Sequence, residues 1–507
     1  MKRTFITILV IGAIAAFFRL FMIGSLPPGL YPDEAMNGSN ALEAIETGNY
    51  KVFYPENNGR EGLFINIQAL FVKLSGLREP WVLRSAAALF GIATVIGIYL
   101  FARELFSRKY GEEKGLFKLK KSELAAISAS FLTAISFWHV LFSRIGFRAN
   151  MAPAFLVWSL YLLYKAWNCR KGPLWKTITL SSIGGLLFGL GFHSYIAYRA
   201  MPALILVVLI YFFVEAFREK ILPRFALTVA SFGLFTIIAA APLINYFLAN
   251  PADFMGRTTQ VSIFASGHAA RDLGLNIIKT LGMFNIAGDA NWRHNYSGSP
   301  ELAFIPGILF LIGFAIAAAS VFGFFSKEKR MASEWSAIVL AWFVVALLPV
   351  VISNEGIPHA LRAIIAIPAV FLLAGVGFVW LSEKISAWLE KKKLAEMTVI
   401  AGAIFLLLEG FFLYFIRWGS SPDVPGAFAA NYVKIAREIN AIPESKKKFI
   451  LVKAGGTLVN GYPMPTETVM FMTDTFTAAG RAKKNVEYVM NESDIPKSGN
   501  FSLFVID

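Results

Sequence analysis

Cysteine is almost absent from this chain of 507 residues: Cys169 stands alone, which excludes an internal disulfide and a cysteine-held metal cluster. Charge is scarce too. Only 16% of residues are Asp, Glu, Lys or Arg, against about 25% in an ordinary soluble chain. Acids (33) are outnumbered by phenylalanines (47), and 56% of the chain is hydrophobic. Such a composition fits neither a disordered chain nor an ordinary cytosolic enzyme. Also missing are a GxxxxGK(S/T) phosphate loop, an HExxH zinc helix and a GxSxG nucleophile turn, so no nucleotide-driven pump, zincin or serine hydrolase is encoded. There is no repeat of 20–50 residues and no low-complexity segment.

What is present is a series of apolar runs long enough to cross roughly 30 Å of hydrocarbon, which takes about 20 residues. They fall near 5–23, 81–102, 124–142, 151–167, 177–193, 200–215, 225–247, 302–325, 336–353, 361–381 and 397–416. The first follows Lys2 and Arg3 as a signal peptide would, but it is too long for a signal core and lacks a small-x-small site. We read it as a retained helix with a cytoplasmic N-terminus. A net charge of +15 would suggest nucleic acid in a soluble chain; here the cations sit in turns between spans, so the expected partner is the lipid bilayer, with no nucleic acid. Alternating the spans puts Arg103, Arg108, Lys109, Lys114, Lys118, Lys120 and Lys121 inside, then Arg170, Lys171 and Lys176, then Arg218, Lys220 and Arg224, then Lys327, Lys329 and Arg330, then Lys384 and Lys391 to Lys393. Every turn assigned to the cytoplasm is basic, as topology demands. The expected architecture is an all-α, multi-pass plasma (inner) membrane protein of about eleven spans over residues 1–416, with long outer loops at 25–80 and 248–301. Residues 417–507 read as a small extracytoplasmic α/β domain, with a helix over 426–442 and strands over 448–453 and 501–507.

Polar chemistry collects on the outer face. Pro32-Asp33-Glu34 opens an amphipathic helix that ends at Gly48. Asp33 reads either as the cap of that helix, with Glu34 favouring its positive end, or with Glu34 as a carboxylate pair that activates a hydroxyl or holds a divalent cation. Arg60 and Glu61 follow in a glycine-flanked turn, an interfacial cap or a ligand contact. Arg144 and Arg148, His193, Tyr195 and Arg199, Arg293 and His294, and His359 with Arg362 occupy the other outer turns. A turn arginine commonly snorkels. Several arginines with aromatic rings and carboxylates on one face suit a lipid phosphate that carries a sugar, because guanidinium forks onto phosphate oxygens.

These motifs resemble the GT-C membrane glycosyltransferases, in particular the branch of dolichyl-phosphate-mannose–protein mannosyltransferases and aminoarabinose lipid A transferases. The resemblance rests on Arg19, the run from Leu26 to Glu34, Asn58-Gly59-Arg60-Glu61, Ser143-Arg144, and His359 with Arg362. It implies a polyprenyl-phosphate sugar donor, a protein, lipid or glycan acceptor approached from the outer face, and inversion at the anomeric carbon. Asp33 would be the general base and Glu34 its support or a cation ligand. The chain departs from the aminoarabinose branch, in which a lysine follows the loop's second acid; here Gly62 follows Glu61. Two other classes remain open: a lipid-linked saccharide flippase or exporter, and a non-catalytic envelope assembly subunit.

Overall fold

The computed structural model describes residues 2–254, 263, 268–322, 333–354 and 356–507; the basic turn at Lys327, Lys329 and Arg330 lies outside them. Helices form at each of the eleven expected apolar runs. They are α1 (Lys2–Leu20), α4 (Pro80–Tyr110), the bent pair α5 (Lys121–Ile135) and α6 (Phe137–Ser143), α7 (Met151–Asn168), α8 (Leu174–Gly191), α9 (Pro202–Arg218), α10 (Leu222–Ala249), α12 (Phe304–Val321), α13 (Glu334–Val351), α14 (Ile367–Leu389) and α15 (Lys392–Phe411). The first long loop adds α2 (Pro32–Thr47) and α3 (Gly62–Ser75), and the second adds α11 (Ala269–Gly282). Among the described residues, eight helical segments are long and apolar enough to cross a membrane, or nine if the α5–α6 pair is one span.

α7 and α8 fall outside that group. In α7, Trp158, Tyr161, Tyr164, Lys165, Trp167 and Asn168 lower the hydropathy; in α8, packing accounts for it. α8 carries Ser181, Ser182, Gly184, Gly185 and Gly189 where its neighbours come closest. A Cβ at Gly185 would sit 2.1 Å from the Phe232 carbonyl of α10, and one at Gly189 would sit 2.4 Å from that of Thr236. Small residues let helix backbones approach in a membrane, at the expense of mean hydropathy.

The break between α5 and α6 turns the chain by 59° and leaves carbonyls without helical donors. Arg19, fully buried at the end of α1, answers them: its guanidinium donates to the Ala134 carbonyl at 2.9 Å and the Thr133 carbonyl at 3.3 Å, and lies 2.7 Å from His139 Nδ1. A cation at helix-terminal carbonyls is favourable in charge as well as in bonding.

The tail is an α/β layer. β3 (Lys447–Val452) is the centre of a parallel sheet between β6 (Val486–Val489) and β7 (Phe501–Ile506). The hairpin β4 (Leu458–Val459) and β5 (Tyr462–Pro463) and the helices α16 (Asp423–Ala427), α17 (Ala430–Asn440), α18 (Glu467–Thr473) and α19 (Ala478–Lys484) complete it. The expected helix and both expected strands are present; α16, α18, α19, β6 and the β4–β5 hairpin are additions. The sheet's apolar face does not close on itself. Val433, Ile450, Phe471 and Ile506 share one buried cluster with Leu30, Met36, Val72 and Leu83, so the tail packs on the first long loop and the start of α4.

Candidate functional site

α2 begins at Tyr31, whose extended backbone forms the N-cap, with Pro32 in the first helical position. Glu34, three residues on, reaches back to accept from the Tyr31 amide at 3.2 Å. The capping expectation is therefore corrected: Glu34, not Asp33, caps the helix start. Glu34 is wholly buried, paired with Arg84 Nε at 3.0 Å, and accepts the Gly146 amide at 2.7 Å. Arg84 also donates to the Pro27 and Gly29 carbonyls. With its oxygens committed to these donors, Glu34 does not fit a shared cation site with Asp33.

Asp33 is left facing outward. It lines a cavity of about 270 Å³ together with Asn57, Arg60, Arg148, Tyr195, His359 and Arg362. Its Oδ1 accepts from Asn57 Nδ2 at 2.5 Å, and the Arg293 guanidinium lies 3.8 Å over the nearby Tyr31 ring. Burial and then the Asp33 charge raise the Tyr31 phenol above its ordinary value, which keeps it a hydrogen-bond donor. The turn that delivers Asn57 and Arg60 needs left-handed backbone at Asn57, Asn58 and Gly59 (φ 51°, 62° and 78°), the residue types that adopt it at least cost. The antiparallel pair β1 (Phe53–Tyr54) and β2 (Arg60–Glu61) then closes the turn.

Arg60 is buried and oriented by two asparagines of α2, Asn37 Oδ1 at 2.8 Å and Asn40 Oδ1 at 2.5 Å. Its Nε has no hydrogen-bond partner among the described residues. Burial and the neighbouring Arg148 pull its pKa down to about 10, so it stays charged at neutral pH. Arg148 is fixed by Glu61 Oε2 at 2.7 Å, and Arg362 bonds Ser353. Three arginines thus border one cavity with one carboxylate.

Other residues singled out from the sequence lie elsewhere. Arg144 does not line the cavity: it is buried against the Phe18 and Leu26 carbonyls and the Tyr414 hydroxyl, a brace between α1 and the end of the last span. Arg199 donates to the Phe254 carbonyl and stacks on Phe254 at 4.4 Å, and His193 bonds the Ala239 carbonyl at 2.9 Å. Asn37, Asn57 and Phe147 line the cavity without having been singled out as site residues, and Asn58 lines it from the turn that carried the resemblance; the left-handed Asn-Asn-Gly turn was the available signal for Asn57.

Beside the cavity lies a second polar group. His294 Nδ1 is 3.0 Å and His359 Nδ1 is 3.7 Å from Asp289 Oδ2. The two rings stack at 4.9 Å, and the Ala360 amide reaches the same oxygen at 2.9 Å. Burial opposes ionisation of Asp289, but His294, His359 and the Asn291 amide outweigh it and hold the carboxyl below its ordinary range. Among the described residues, these three form the grouping whose ligand atoms, all within 4.8 Å of one another, could hold a metal ion.

No protein-family model and no curated protein matches this sequence. Solved structures do match in shape. One is the oligosaccharyltransferase of Archaeoglobus fulgidus tethered to an acceptor peptide with an NVT sequon, at 14% identity and a TM-score of 0.51, covering 97% of this chain and 64% of that one. The same enzyme in complex with Zn and sulfate gives 13% identity and a TM-score of 0.53, over 96% and 62%. ArnT from Cupriavidus metallidurans bound to undecaprenyl phosphate matches at 13% identity and a TM-score of 0.53, over 95% of this chain and 89% of that one. The chain spans just under two thirds of the length of the oligosaccharyltransferase. The fold is that of the GT-C membrane glycosyltransferases.

Proposed function

We propose that this multi-pass membrane protein is a glycosyltransferase that moves a sugar from a polyprenyl-phosphate donor to an acceptor hydroxyl, with Asp33 as general base. The observation that carries the proposal is the single cavity in which Asp33 faces Arg60, Arg148 and Arg362. That arrangement matches the two demands of the reaction. The acceptor oxygen attacks the anomeric carbon as its proton passes to the Asp33 carboxylate, and the bond from carbon to phosphate oxygen breaks with its electron pair. The leaving polyprenyl phosphate gains charge, which the arginines stabilise. Attack opposite the leaving group inverts the anomeric centre.

On this reading Asn57 aims the carboxylate, Arg60 holds its charge at the cavity wall through Asn37 and Asn40, and Glu34 holds the loop rather than the substrate. Residues 1–416 form the transferase unit and 417–507 brace its first loop. The relatives in shape support the class: their structures carry an acceptor peptide in one case and undecaprenyl phosphate in another. The test is sugar transfer by purified protein in liposomes supplied with radiolabelled polyprenyl-phosphate sugars and a panel of peptide, lipid and glycan acceptors. Label moving to an acceptor supports the assignment. Label that only changes leaflet, with no acceptor modified, would make the protein a translocase.

A further inference from the structure

We propose that Asp289, His294 and His359 form a zinc site of two imidazoles and one carboxylate at the edge of the Asp33 cavity. Hydrogen bonding to Asp289 accounts for one imidazole and not the other. The Ala360 amide at 2.9 Å and His294 Nδ1 at 3.0 Å fill the two lone pairs of Asp289 Oδ2, while His359 Nδ1 approaches to 3.7 Å, too far for a hydrogen bond to that oxygen. With both imidazoles turning lone pairs toward a shared cation, all three side chains become ligands and the close approach of the second ring is explained, their ligand atoms lying within 4.8 Å of one another.

The spacing suits the ion. Zinc binds imidazole nitrogen and carboxylate oxygen at about 2.0–2.2 Å in tetrahedral geometry, which separates neighbouring ligand atoms by about 3.4 Å, between the two distances seen here. Two nitrogens and one oxygen favour zinc over magnesium or calcium, which take oxygen ligands. The ligands are also held in place. Asp289 is fixed through its own backbone amide, which donates to Glu301 Oε1 at 3.0 Å, and through Oδ1, which accepts the Asn291 amide at 2.8 Å. The residue after His359 is anchored by Trp138 Nε1 on the Ala360 carbonyl. Trp418 Nε1 holds the Trp292 carbonyl, two residues before His294, at 3.1 Å.

Three protein ligands leave a fourth position for water or an oxygen of a bound molecule, the pattern of an open zinc site. His359 lines the cavity with Asp33 and Arg362, so the ion would add positive charge at its rim and tie the loop carrying His294 to the turn carrying His359.

The site can be tested without donor or acceptor, so its failure is separate from any failure of sugar transfer. Full-length protein in detergent is stripped with chelator, dialysed against Zn²⁺ and counted by elemental analysis, and in parallel titrated with Co²⁺ as a visible probe. We expect one zinc per chain and the intense visible bands of tetrahedral cobalt. His294→Ala and His359→Gln should each lose at least tenfold in affinity, whereas Asp33→Asn and Glu34→Gln should keep the full stoichiometry. Wild-type protein without stoichiometric zinc or tetrahedral cobalt bands would overturn the site, whatever the variants do. So would histidine variants that bind as wild type, or loss of the ion in Asp33→Asn.

Discussion

At the scale of the residue, the site separates neighbours that the sequence presents as equals. Asp33 and Glu34 are adjacent acids, yet one faces the cavity and the other closes a buried pair with Arg84. The arginines divide in the same way. Arg60→Lys keeps the charge but loses the fork onto Asn37 and Asn40; at roughly 1.5–3 kcal/mol per charged hydrogen bond, donor affinity should fall by at least tenfold in a binding assay. Arg144→Lys should leave donor affinity unchanged and lower the thermal midpoint, because its bonds go to the Phe18 and Leu26 carbonyls. An equal loss of binding in both variants would contradict the division.

Glu467 offers a pH test at the same scale. It lies in the tail, accepts from Ser39 of α2 at 2.8 Å, and burial pushes its carboxyl from 4.5 up to about 7 against the opposing Ser39 bond and Arg60 charge. The folded protein therefore holds this proton more tightly than the unfolded chain. Stability is greatest below about 4.5 and falls as pH rises through about 7, by on the order of 3 kcal/mol. Glu467→Gln should flatten the thermal midpoint between pH 5 and 8 and raise it at pH 8. A variant with the wild-type slope would show that Glu467 titrates normally.

At the scale of the element, periodicity and breakers made the helices legible: every apolar run became a helix, and Gly48, predicted as the C-terminal stop of α2, has φ 71°. Long-range contacts were not legible. Nothing in the sequence announces that Arg19 meets carbonyls freed by a bend more than a hundred residues away, or that the tail folds onto α2. One close approach in that interface is at Gly38, where a Cβ would lie 2.6 Å from the Phe471 ring and 2.8 Å from Leu83 Cδ1. Gly38→Ala should cost roughly 1–3 kcal/mol by overpacking, read as a lower thermal midpoint. Phe471→Leu in the same chain should recover part of that loss, since the two positions touch. Strict additivity of the two losses would mean that this contact does not bind the tail to the loop.

At the scale of the whole molecule, the candidate site is assembled from distant segments: the first loop, the turn after α6, the turn after α8 and the turn before α14. The sequence allowed its acids, arginines and histidines to be placed on one face, because basic turns alternate with spans, but not to be sorted into lining and bracing residues. The same alternation leads us to expect Asp33 and the tail outside, and the shared core of tail and first loop requires them to lie on one side. A reporter active only in the cytoplasm should therefore be silent when fused after Asp507 and active after Lys121. Activity at Asp507 would invert the topology and, with it, the side on which the reaction is placed.

The most direct measurement pairs donor binding with transfer rate in one preparation of Asp33→Asn. Asparagine preserves the size of the side chain, and Glu34, not Asp33, caps the helix, so folding and donor affinity should survive. A general base is worth about 10²–10⁴-fold, and transfer should fall by at least a hundredfold while the thermal midpoint stays within a few degrees of wild type. Normal transfer in the variant, or a loss of binding equal to the loss of rate, would contradict Asp33 as the base.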